Sequence, residues 1–198
     1  MGEIKSAWEL ALERTADIKG DKSSIRLNEL KKSGQKIASD FLESESPEQE
    51  TLKKTFKAFS KEERPTVEKA ALEIFLSHIT LPREDTYREK IELVMQGLQS
   101  IINEKRVIQE LGTQIVQFFG QYLEHREQLS EQLKQHYMPQ LRQKQEALKK
   151  QYGYEVELKP EQDPEFSNLL RKNFQKLEAQ YQDALNQMKD QIRNYFGS

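Results

Sequence analysis

The feature that most constrains this chain is the spacing of its apolar residues near the carboxyl end. Leu170, Phe174, Leu177, Tyr181, Ala184, Met188 and Tyr195 recur in alternating steps of four and three. Gln191 is the one polar member of the series, and Ile192 sits beside it. That rhythm is helical and cannot be laid out as a strand, whose side chains alternate with a period of two. Asp163 followed by Pro164 supplies a cap and a residue suited to the first helical position, so the spacing predicts a helix from Pro164 to about Phe196.

The same rhythm runs through most of the chain. From Thr86 to about Tyr152, Ile91, Val94, Leu98, Ile101, Ile108, Ile115, Phe119, Tyr122, Leu129 and Leu133 hold a near-heptad pattern with no strong stop. An unbroken helix of that length would span on the order of 100 Å, long enough to call for coiled-coil character. Gly97, Gly112, Gly120 and Pro139 are its places to bend, and Pro139 should kink it. Upstream, four shorter helices are expected. The first runs from Glu3 to Ile18 and stops at Gly20 in "KGDKSS"; the second runs from Ser24 to Ser44. Ser46 with Gln49, and Ser60 with Glu63, read as capping boxes for the third and fourth. Gly34 falls on the apolar stripe of the second helix, where it would admit a close neighbour in return for about 1 kcal/mol of helix propensity.

The expected fold class is therefore all-α. A bundle of about four helices over residues 1–84 precedes a long helix and an antiparallel, coiled-coil-like partner over 85–198. Composition agrees: 35% of residues are hydrophobic and 32% charged, which favours amphipathic helices with thin cores.

One stretch departs from the pattern. In "QYGYEVELKPEQDPEF", Tyr154, Val156 and Leu158 alternate with Glu155, Glu157 and Lys159, a two-residue period that suits a short extended segment at 154–158. An unpaired extended segment leaves backbone groups open to a partner strand. "HITLP", a second chain and a binding partner are the candidates to pair with it, against the plainer reading of an irregular hairpin turn.

Several chemistries find no support. No cysteine is present, so there is no disulfide, thiolate metal site or thiol nucleophile, and a reducing, cytoplasmic setting fits. The residues three before His78, His125 and His136 are Phe75, Tyr122 and Leu133, so the Glu-x-x-His signature of a di-iron bundle is missing. No phosphate-binding glycine loop and no nucleophile elbow occurs. No cofactor is expected, and an enzyme is not the favoured reading. A ligand- or metal-binding bundle with a site among Trp8, Phe75, His78 and Tyr122 stands as the alternative.

The net charge of −2 lacks the footprint of general nucleic-acid binding. Locally, Lys134, Arg142, Lys144, Lys149 and Lys150 face Glu146 alone, a net of +4. The next stretch sets Glu155, Glu157, Glu161, Asp163 and Glu165 against Lys159, a net of −4. Cations at the end of one helix and anions at the start of the next are what helix dipoles favour, so mutual screening is preferred over a nucleic-acid-binding arm. No apolar run reaches membrane-spanning length and no secretory signal is visible. "MGEIKS" meets the short myristoylation pattern, but Glu3 suits an acyl anchor poorly.

The densest apolar patch is "IVQFFGQYL", with Phe118, Phe119 and Leu123 on several faces of one helix. It is read as a place where helices meet, with an oligomer interface as the alternative. The opening "EIKSAWELALERTADIKGDK", and more weakly "DPEF" before the last helix, resembles a family of bacterial helical proteins of unassigned function. The resemblance implies a helical fold and supplies no site residues. Together these readings give a non-catalytic scaffold, adaptor or chaperone-like protein that binds a protein partner or itself, with Tyr154, Val156, Leu158, Phe118, Phe119 and Leu123 as candidate interface residues.

Overall fold

In a computed structural model the backbone is described for residues 7–154 and 157–196, and side chains within those ranges from residue 22 onward. The chain is all-α. Among the described residues there are six α-helices and no strand: α1 (Ala7–Glu43), α2 (Gln49–Lys57), α3 (Arg64–Ser77), α4 (Tyr87–Ile101), α5 (Lys105–Tyr152) and α6 (Pro164–Phe196). A 3-10 turn at Pro160–Gln162 precedes α6.

Two sequence expectations fail here. The first two expected helices are one continuous helix of 37 residues, because Gly20 does not stop α1. A lone glycine costs a helix only about 1 kcal/mol, and "KGDKSS" contains no proline to force a break. The long helix, in turn, is divided, and not at a glycine. Ile102, Asn103 and Glu104 leave the helical path. Ile102 N–H still donates to the Leu98 carbonyl at 2.9 Å, and α5 restarts with Ile108 N–H on the Glu104 carbonyl at 3.1 Å. Ile102 and Ile108 are both buried on either side of the break. The 48-residue α5 runs through Gly112, Gly120 and Pro139 without interruption and is about 72 Å long.

Two compact units result. The first comprises Met1–Ile79, Glu92–Ile108 and Tyr195–Ser198, so it is not one contiguous stretch of chain. Its core holds Leu30, Ala38 and Phe41 from α1 with Val67, Ala71 and Phe75 from α3. Gly34 lies where α1 crosses the α3 backbone: a Cβ there would stand 2.9 Å from the Val67 carbonyl carbon and 3.0 Å from Ala70 Cβ. The close approach expected of Gly34 is present. Gly97 on α4 receives the Phe75 ring, which also meets Phe41 edge to face at 6.2 Å.

Capping follows the sequence in part. Ser60 Oγ accepts the Glu63 amide at 3.3 Å and donates to its carboxylate at 3.2 Å, with Pro65 in the first turn of α3. The Ser46 box does not form. Helix α2 starts after Glu48 with no side-chain cap, and the Gln49 amide donates instead to the Gln96 carbonyl at 2.9 Å. Arg64 covers the end of α2 by donating to the carbonyls of Lys57 and Phe59 at 3.1 and 3.3 Å.

The second unit comprises Thr80–Ile91 and Gln109–Asn194. Within it α5 and α6 form an antiparallel hairpin. Phe118 and Tyr122 meet Tyr181 at 5.0 and 5.1 Å, and Tyr137 meets Phe166 at 5.3 Å, so residue numbers rise along one helix as they fall along the other. The apolar stripe of α6 named from the sequence is half-buried from Leu170 to Met188 and exposed at Tyr195, while the buried residues of α6, Phe166, Leu185 and Ile192, lie outside that series.

Candidate functional site

The closed end of the hairpin is its most organised polar region. A small apolar cluster of Tyr137, Leu141 and Phe166, flanked by Leu133, Met138, Leu158 and Leu170, joins the two helices there. Asp163 is the buried charged residue of the described chain. It caps α6, its Oδ1 accepting the Glu165 amide at 2.9 Å and its carbonyl accepting the Ser167 amide at 3.0 Å. Its Oδ2 accepts Tyr137 Oη–H at 2.9 Å and Lys144 Nζ at 2.8 Å. Lys144 donates as well to Tyr137 Oη at 2.9 Å and reaches Glu165 at 2.9 Å. Gln140 donates to Glu165 at 2.8 Å, and Lys134 pairs with Glu161 at 3.0 Å.

The electrostatics follow from that geometry. Lys144 holds the Asp163 carboxyl below its ordinary value. Asp163, then Tyr137 and Glu165, push the Lys144 ammonium well above the usual lysine range. Burial raises the Tyr137 phenol. An ammonium locked in its charged form is neither a nucleophile nor a base, and an ionised, fully bonded carboxylate has no proton to give. The arrangement ties the start of α6 to α5 through Asp163.

That turn carries the stretch expected to be extended. No strand forms among the described residues. Gly153, at φ 77°, ends α5, with its amide on the Lys149 carbonyl at 2.9 Å. The Leu158 carbonyl accepts Gln145 Nε2 at 3.1 Å, and the Leu158 side chain rests on the Tyr137 cluster. A side chain of α5 thus takes the place of a partner strand. Val156 lies outside the described residues. Tyr154 is 63% exposed, and its ring stands 6.2 Å from that of Tyr152, itself 55% exposed.

The remaining sequence candidates scatter. Of the basic residues, Lys134 and Lys144 are engaged by Glu161, Asp163 and Glu165, as screening across the turn predicts. Arg142, Lys149 and Lys150 lie on the exposed face of α5. Phe119 is enclosed, meeting Tyr87 at 5.4 Å, while Tyr87 donates to the Val116 carbonyl at 3.3 Å. Phe118 and Leu123 are half-buried, Phe118 beneath Tyr181. His125 Nδ1 pairs with Tyr181 Oη at 2.6 Å, and His78 Nδ1, just past the end of α3, lies 2.9 Å from the carbonyl of Ile74 in that helix. His136 is exposed. Phe75 and His78 belong to the first unit and Tyr122 to the second; the Trp8 side chain is outside the described residues. Among the described residues no group of three or more His, Asp or Glu could hold a metal, and no helix is long and apolar enough to cross a membrane. The Tyr137–Lys144–Asp163 lock was missed as a unit. Its signal was the run of cations in α5 opposite the anions around "DPEF".

Fold and site together define an all-α protein whose last two helices form a hairpin closed by a buried polar lock. The chain belongs to a family of unknown function, DUF6657, whose model matches residues 53–194. The matched region includes Asp163–Phe166 and leaves out the Glu3–Lys22 block that carries most of the resemblance noted above. No curated protein and no solved structure matches the chain.

Proposed function

We propose that this is a non-catalytic interaction protein whose hairpin presents Tyr152 and Tyr154 to a protein partner. The exposed tyrosine pair beside a locked turn carries the reading. Tyrosine gives a large amphipathic contact with little side-chain entropy to lose, and is enriched where partners bind. The lock adds to this by tying Leu158 and Asp163 to α5, which lowers the ordering cost of binding nearby. The chemistry of the lock supports a role without catalysis, since its charged groups are saturated by one another. The absence of cysteine fits a reducing cytoplasm. Self-association is a second reading, favoured by Ile25 and Leu27 of α1, which are 51% and 43% exposed.

The test is paired affinity purification from the native host with wild type and the Tyr152→Ser/Tyr154→Ser variant. The reading expects a partner present at near-stoichiometric level with wild type and depleted with the variant, at equal thermal stability. Equal recovery with both would remove the tip from the account. Light scattering of the variant and wild type over a wide concentration range separates a foreign partner from a second copy.

A further inference from the structure

We propose that the second unit holds a binding site for a small zwitterion, a free amino acid or dipeptide, in a cleft between the Thr80–Arg83 segment, Tyr122 of α5 and one face of α6. The cleft has a volume of about 450 Å³, within the ordinary range of ligand pockets and larger than a single amino acid requires. Its lining includes Pro82 and Tyr122, both buried. Its lining also includes opposite charges, Arg83 from the segment before α4 and Glu178 from α6, and both act electrostatically on the Tyr122 phenol. Gln175 and Gln182 lie three residues before and four residues after Glu178, so their amides share its face of the helix.

That set of groups selects among ligand classes. A simple anion would meet Glu178 as well as Arg83, and a simple cation the reverse. A molecule with both an ammonium and a carboxylate satisfies both charges, while the two amides can donate to and accept from a peptide group. The segment bearing Arg83 is held in advance. Arg126, one turn beyond Tyr122 on α5, donates to the Arg83 carbonyl at 3.4 Å, and its guanidinium lies 4.8 Å over the Phe174 ring. Burial, and next the Glu178 charge, raise the Tyr122 phenol, which keeps it protonated as a hydrogen-bond donor at neutral pH. This site is separate from the hairpin tip and does not depend on the tip's role.

The experiment is calorimetric titration of the full chain with free L-amino acids and dipeptides, beside dipeptides acetylated at the amino end or amidated at the carboxyl end. Saturable binding of at least one free zwitterion is expected, weakened at least about tenfold by either end block and by Arg83→Gln or Glu178→Gln. Both side chains are exposed, so each variant should keep its unliganded Tm within about 2 °C. The proposal is overturned if no zwitterion binds up to about 10 mM, which is weaker than most small-molecule sites. It is equally overturned if blocked peptides bind as well as free ones, or if both variants bind like wild type.

Discussion

Gly34→Ala sets two physical effects against each other, and the structure decides between them. In an isolated helix alanine is better than glycine by about 1 kcal/mol. Here the new Cβ would meet the backbone of Val67 and stand 3.0 Å from Ala70 Cβ. Backbone atoms cannot turn aside as a side chain can, so α1 must retreat from α3 by roughly 1 Å. A gap of that size forfeits about a quarter to a half of the dispersion contact across it. Leu30, Ala38 and Phe41 on α1 all depend on that contact. Overpacking of this kind costs about 1–3 kcal/mol, and the loosened contacts add to it. After subtracting the propensity gain, the substitution should destabilise the first unit by about 1–3 kcal/mol. At roughly 2–4 °C per kcal/mol for a chain of this size, Tm should fall by about 2–12 °C in a circular dichroism melt. Gln35→Ala, exposed and one residue along, should leave Tm nearly unchanged. A Gly34→Ala protein that melts at or above the wild-type temperature would refute the reasoning, because propensity would then outweigh the crossing.

Two other outcomes follow from the lock and a third from the Gly97–Phe75 contact of the first unit. Asp163 has a folded value below its ordinary 3.8, so its contribution is present above that pH and is lost as pH falls through the folded value. Glu161, held down by its own amide and then by Lys134, moves in the same direction. Lys144 is raised above its ordinary 10.5, so its contribution is complete below that pH and is lost only as pH climbs through the higher folded value. Amide exchange at Gln162 and Asp163 should therefore stay slow from about pH 4 to pH 10, after correction for intrinsic rates, and quicken in acid below it. Asp163→Asn keeps the shape but removes the charge, and should speed exchange at Glu165 and Ser167 while leaving that at Val67 and Leu72 unchanged. Gly97→Ala would drive a methyl into the Phe75 ring, with Cζ and Cδ1 only 2.6 and 2.9 Å from the new Cβ, and should lower the Tm by several degrees.

The helices were legible because their signals are local. Asp163–Pro164 starts α6 where a cap and a φ-restricted residue require it, and Ser60 bonds Glu63 as the spacing implies, in the turn that leads into α3 at Arg64. The boundaries that failed depend on competition. Gly20 offers α1 a stop that its neighbours on both sides outweigh. Asn103, a residue that tolerates helix ends, breaks α4 from α5 without glycine or proline, and the heptad count continues across it almost in step. Leu158 illustrates the limit of periodicity. Its alternation with charged neighbours reads as a strand, but only tertiary structure shows Gln145 taking the Leu158 carbonyl and Tyr137 the side chain. The lock was legible only as opposed charge on either side of the turn: Tyr137, Lys144 and Asp163 become one group only once α5 and α6 lie antiparallel.

The most direct test of the interaction reading places a photo-crosslinking amino acid at position 154 in the native host, with the exposed position 146 on α5 as the control. A single protein adduct formed at 154 and absent at 146 is the predicted result. No adduct at 154, or the same adducts at both positions, would contradict the claim that the hairpin tip is the working surface.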